Sequence, residues 1–269
     1  TLEKNYPGLI SVLTAAELED FVDDWLHQRC KDYHSHDRWS GTGDLGRDVT
    51  GKIPDASRVP GMIELNERDG AIWSLAKDFL RTRDNDAHSL YAYSIAQALL
   101  SQIPEADENI VLPAILLHDT GWSTVDERLA LEAIAPGADG SLDHLIIQHE
   151  KEGARIAREI LEQVGVPEED IVQIVDIIDG HDTRLVAMST NDVVVKDSDK
   201  VWRVTPHGRR VVMDWFGIDA EQSLRLCAYR AYNELFTDQA KAMSRVLVTT
   251  ACMDFSEEIA NTYTREDVA

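Results

Sequence analysis

Residues 114–125 read AILLHDTGWSTV, an apolar run of Ile115, Leu116 and Leu117 that ends on adjacent His118 and Asp119. The run looks like the buried face of a helix, yet an imidazole beside a carboxylate is costly to bury without partners. Neighbours on a helix point about 100° apart, so the two side chains can converge only where the helix stops. Thr120 and Gly121 supply that stop. A helix terminus with a hydrogen-bonded histidine is a sufficient local account of an isolated His-Asp pair. Anything beyond it has to come from elsewhere in the chain.

Working outward, apolar periodicity predicts helices over about 69–82, 86–102, 108–118, 125–134, 142–164, 168–180, 191–203, 219–235 and 237–262. In the fifth of these, Gly153, Ile156, Ala157, Ile160, Leu161 and Val164 form one stripe, ended by Gly165 and Pro167. Near the N-terminus, Thr14 and Glu17 fit a capping box, followed by Leu18, Phe21, Val22, Trp25 and Leu26 at helical spacing. Residues 34–68 are rich in Gly, Pro, Asp and Ser and show no period, which predicts a long loop or lid that could close over a pocket. The run DVVVKD is ambiguous, with β-branched residues in a helical context. No repeat and no linker divides the chain, so one all-α fold with extensions is expected.

Composition narrows the function. A chain of 269 residues can bury a sizeable core. Three distant cysteines, Cys30, Cys227 and Cys252, suggest neither a disulfide framework nor a cysteine zinc site, and a reducing cytoplasm is the expectation. No apolar run reaches membrane-spanning length, and the opening residues lack a signal-peptide pattern, so no membrane association is expected. The formal net charge of -23 repels long polyanions and argues against a nucleic acid polymer as partner. A small anionic substrate stays compatible, because local cations and a metal can reverse the potential within one pocket. Homo-oligomerisation is left open.

The other histidines supply what the local account lacks. His88 lies in DNDAHSLYAYSIAQALL, His149 in IIQHEKEGARIAREIL, His181 in VDIIDGHD and Asp199 in VVVKDSDKVWR. Each stands on or at the edge of a different predicted helix, flanked by apolar residues. Bundles build metal sites in this way, from inward side chains on facing helices.

The order H…HD…H…H…D resembles the HD-domain superfamily of metal-dependent enzymes, over roughly residues 84–205. LLHDTGW resembles its dyad helix, HEKEGARIAREIL its helix opening on a ligand histidine, and DSDKV its final aspartate before a cation. The resemblance implies three segments: 1–83, an N-terminal helix, long loop and lead-in helix; 84–205, the metal-binding core; and 206–269, C-terminal helices packing on it. It also implies that His88, His118, Asp119 and Asp199 hold one metal, and His149 and His181 a second, with Asp119 bridging. Asp199, immediately before Lys200, matches the family ligand better than Asp197.

Imidazoles and carboxylates without thiolate suit iron first and manganese as the alternative, as two divalent or mixed-valent ions, with zinc or nickel less favoured and calcium disfavoured. Such ions would make a buried His118 and Asp119 tolerable, acidify a water and clamp a phosphoryl group. The resemblance also implies catalytic roles for Asp119 and Lys200, the position of Lys200 in the family motif being one that commonly reaches substrate phosphate. The cluster KVWRVTPHGRR adds Arg203, His207 and Arg209 as candidate anion-binding residues, with Arg210 beside them, although Arg209 and Arg210 could equally pair with surface acids. Trp122 could line the pocket or the core.

Weaker signals are discounted: His34 and His36 fit a solvated loop, His27 an exposed helix face, and His144 faces away from His149. GTGDLG lacks the strand and helix that would make it a phosphate loop. The leading expectation is a phosphohydrolase for a small phosphate ester or nucleotide. The alternative is a mixed-valent di-iron oxygenase of the same superfamily, cleaving a C–P or C–C bond with dioxygen. It is raised by GHDT, where Asp182 follows a single His181 and phosphodiesterase branches often carry paired histidines. A noncatalytic binding protein is disfavoured by the complete set of ligating groups.

Overall fold

A computed structural model describes residues 50–59, 61–62 and 64–255. The chain divides into two units, Thr1–Val59 and Pro60–Ala269. In the first, the described residues make 3-10 turns at Thr50–Lys52 and Ala56–Arg58, both within the expected lid. The expected helix from Thr14, and His27, Cys30, His34 and His36, lie outside the described residues.

The second unit is helical among the described residues, with short 3-10 turns between its α-helices: α1 (Glu67–Ala76), α2 (Asn85–Leu100), α3 (Glu108–Leu117), α4 (Glu127–Ile134), α5 (Asp143–Val164), α6 (Glu168–Ile178), α7 (Thr190–Trp202), α8 (Pro206–Phe216), α9 (Ala220–Glu234) and α10 (Asp238–Phe255). None of these is long and apolar enough to cross a membrane. The centre of the bundle is α3, whose residues from Ile110 to Leu117 are all buried. It packs on α1, α2, α6 and α7. Pro113 removes one internal hydrogen bond from this helix, a defect that burial on every face offsets.

One ambiguity of the sequence reading is resolved and one departure from it has a clear cause. DVVVKD is helical, inside α7, because Ser189 accepts from the Asp192 backbone N–H at the helix start and Val194 and Val195 are buried against the core. Residues 206–216 form a helix where none was expected. Thr205 Oγ1 accepts from the Gly208 N–H at 3.0 Å, Pro206 sits at the first helical position, and Gly217 ends it at φ 61°. The basic residues of PHGRR drew attention from these caps.

Candidate metal centre

His118 caps α3 at its C-terminal end, and Asp119 follows with non-helical backbone. The chain then makes a 3-10 turn over Thr120–Thr124 that lies directly on α5. Gly121 permits this approach, since a Cβ there would stand 1.9 Å from the His149 carbonyl oxygen and 2.5 Å from the Gly153 nitrogen. The same contact brings His149, in the second turn of α5, beside Asp119. His88 comes from the first turn of α2, His181 from the turn after α6, and Asp199 from the last turn of α7.

All six side chains are buried and meet. His88 Nε2 and His118 Nε2 are 2.9 Å apart, and both face Asp119 Oδ2, at 3.5 and 3.6 Å. Asp199 Oδ1 stands 3.4 Å from His88 Nε2 and 4.0 Å from His118 Nε2. On the other side, His149 Nε2 and His181 Nε2 are 3.3 Å apart and face Asp119 Oδ1, at 3.9 and 3.5 Å. One carboxylate thus turns an oxygen to each histidine pair.

Sequence reasoning missed a seventh group here. Asp182 Oδ2 lies 3.6 Å from His149 Nε2 and 3.7 Å from His181 Nε2, as Asp199 faces the first pair. Its turn is clamped from two helices. Buried Glu150 accepts from the backbone N–H groups of Asp182 at 2.8 Å and Thr183 at 2.7 Å, and Lys196 Nζ donates to the carbonyls of Gly180 at 3.0 Å and His181 at 2.7 Å. The sequence showed Asp182 following His181 in GHDT, but not that its carboxylate joins the centre.

Asp197, the other acid of DSDK, does different work. Its carboxylate accepts from the N–H groups of Phe236 at 2.8 Å and Thr237 at 3.0 Å, fastening the segment before α10. Lys200 Nζ bridges Asp199 Oδ2 at 2.7 Å and Asp182 Oδ1 at 3.2 Å. Arg203 donates to Glu234 at 2.9 Å. A cavity of about 1230 Å³ opens over the centre, and Asp119, Trp122, Asp182, Asp199, Lys200 and Arg203 help line it. His207 and Arg209 do not line it: His207 accepts from Trp202 Nε1 at 3.1 Å and stacks on Tyr91, while Arg209 is buried within α8. Arg210 and His144 are exposed.

The donor set fits metal ions. His118 Nδ1 and His181 Nδ1 lie 2.8 and 2.9 Å from the carbonyl oxygens of Ile115 and Ile178. A carbonyl only accepts, so both rings carry hydrogen at Nδ1 and turn Nε2 into the centre, the orientation of metal-ligating histidines. The His88 and His149 rings are held instead by indoles, Trp202 at 4.2 Å and Trp122 at 3.9 Å between centroids. Among the described residues, two overlapping groups have ligand atoms all within 4.8 Å of one another: His88, His118 and Asp119, and Asp119, His149 and His181. Buried lone pairs and carboxylates at these separations call for cations.

The charges reflect that concentration. Burial opposes ionisation of Asp119, but His118, His181 and His88 outweigh it and hold the carboxyl well below the usual range. Burial lowers the His118 imidazole, and pushes His149 down to about 3. Burial also acts against a charged His181, but Asp182 and Asp119 overcome it and raise that ring to about 9.

A helical bundle whose facing helices deliver histidines and aspartates to one point belongs among the metal-centre bundles. More particularly, residues 85–203 match the family model of the HD domain. The matched stretch includes His88, His118, Asp119, His149, His181 and Asp199. No curated protein matches the chain. Among solved structures, a predicted HD superfamily hydrolase from an uncultured Thermotogales bacterium is similar, with 16% identity and a TM-score of 0.49, over 80% of this chain and 99% of that one.

Proposed function

We propose that the protein is a metal-dependent phosphohydrolase acting on a small phosphate ester or nucleotide. The supporting observation is the two-sided environment of Asp119, whose oxygens face separate histidine pairs. His88, His118, Asp119 and Asp199 would hold one ion, and Asp119, His149, His181 and Asp182 a second, iron or manganese suiting the donors. Divalent ions bound there supply Lewis-acid charge to a phosphoryl oxygen and acidify a water.

The protein's own groups do the rest. Lys200 neutralises Asp199 and Asp182, and its ammonium has a third donor for a phosphoryl oxygen. Trp122 stacks on His149, fixing that ring and giving the cavity an apolar wall that excludes water from one side. In the overall change, water adds to phosphorus, the ester P–O bond breaks and the alcohol leaves with one proton.

The second reading is a di-iron oxygenase for a small polar substrate. Its specific support is Asp182, an additional hard oxygen donor on the His149 and His181 side, where a paired histidine would be softer. Phosphate release separates the two, measured on a panel of nucleotides, sugar phosphates and phosphonates with iron- or manganese-loaded protein under strict anaerobiosis. Hydrolysis proceeds without dioxygen and is lost in Asp119→Ala. Turnover that begins only when air is admitted would replace the hydrolase with the oxygenase.

A further inference from the structure

Arg83 stands just before α2, outside every motif discussed above. Its guanidinium carbon lies 4.7 Å from the ring centroids of both Trp122 and Trp215, so two indoles hold it through their faces. Ring faces do not accept the in-plane N–H groups, and Arg83 Nε and Nη1 are buried without a hydrogen-bond partner. Leaving such donors unmatched costs about 1–3 kcal/mol. Its backbone is also unusual. Arg83 and Asp84 both adopt positive φ, 61° and 56°, conformations that cost a non-glycine residue about 1–2 kcal/mol each. Glu127 Oε1 secures this bend by accepting from the Arg83 N–H at 2.9 Å.

The other cations lining the cavity each have a carboxylate or carbonyl partner, Arg184 Nη1 facing Asp192 at 3.6 Å. Lys200 bridges Asp199 and Asp182, Arg203 and Arg230 pair with Glu234, and Lys196 and Arg184 donate to backbone carbonyls. Arg83 reaches the same cavity with neither a carboxylate nor a carbonyl on those two nitrogens. A strained backbone and an aromatic clamp that present an unsatisfied fork are a feature of a binding site rather than of a packing arginine.

We infer that Arg83, clamped between Trp122 and Trp215, is the receptor for the oxyanion group of the substrate. The group is a phosphate, phosphonate or carboxylate that takes paired hydrogen bonds from the guanidinium. This deepens the proposed function and rests on the cavity over the His/Asp centre being where substrate binds. It assigns recognition to an arginine upstream of the HD domain and to Trp215 of α8, the helix that sequence patterning did not reveal.

The test is calorimetric titration of metal-loaded wild-type, Arg83→Gln and Arg83→Lys proteins with inorganic phosphate, methylphosphonate and malonate, with metal content measured in each. Wild type is expected to bind phosphate, and Arg83→Gln to bind it about 10- to 100-fold more weakly with metal content unchanged, the loss expected for charge-assisted hydrogen bonds. Arg83→Lys keeps the charge and the folded bulk but not the fork, and loses about 10-fold. Unchanged affinity in either variant, or no binding of any of the three anions by wild type, overturns the inference. Selective binding of malonate, weakened by Arg83→Gln, would keep the receptor while removing the phosphate-ester reading.

Discussion

On one side of Asp119, His88 and His118 face Asp199. On the other, His149 and His181 face Asp182, and the two sides are held differently. The first is built on α2, α3 and α7, with Asp199 in the last turn of a helix packed into the core. The second takes His181 and Asp182 from a turn whose backbone Glu150 and Lys196 grip. Asp182 is also the more open acid, with 26% of its side chain exposed against 12% for Asp199. A helix-borne side is set by the fold itself, whereas a turn-borne side depends on a few polar contacts and carries the more exposed acid.

Asp119→Ala should have the largest effect, because it removes a ligand from both sides. Metal content after dialysis should fall to near none and phosphate release should cease; retention of full metal would break the comparison at its pivot. Gly121→Ala comes next, since its methyl would meet the His149 backbone, which cannot retreat without moving α5. A loss of about 3 kcal/mol is expected in urea unfolding, and a neutral result would mean that the turn does not rest on α5 as closely as described.

Glu150→Ala sharpens the contrast between the sides. It frees the backbone N–H groups of Asp182 and Thr183 without touching any group in the first site. The second ion should bind about 10- to 100-fold more weakly, as for other groups that orient ligands, while the first is unaffected. Equal weakening of both ions in a metal titration would show that the sides are not independently supported. Asp197→Ala should have the smallest effect at the centre. Loss of its acceptors for Phe236 and Thr237 should cost about 2 kcal/mol of stability and leave metal content unchanged.

The parts of this centre that were readable in advance are those that local sequence determines. LLHDTG ends a helix in a way that periodicity and a glycine announce, and His88, His149 and His181 stand beside apolar stripes that face inward. The choice between Asp197 and Asp199 is likewise mirrored in their surroundings, one fastening Phe236 and Thr237, the other facing His88. What was hidden depends on distant partners. Nothing near Asp182 in sequence discloses that Glu150 and Lys196 clamp its turn. Arg83 is presented by left-handed backbone that no residue type there demands, and by an indole 132 positions away in Trp215. The α8 helix was obscured because basic residues invited a functional reading while Thr205, Pro206 and Gly217 were quietly specifying its ends.

The central claim is that one carboxylate serves two ions, and counting ions tests it most directly. Wild-type and His149→Ala proteins, stripped of metal and titrated anaerobically with ferrous iron or manganese, are predicted to take up about two and about one tightly held ions per chain respectively, as expected of a two-metal site losing one member. A single equivalent in wild type, unchanged by His149→Ala, would contradict the account and reduce the second histidine pair to a buried hydrogen-bonded cluster.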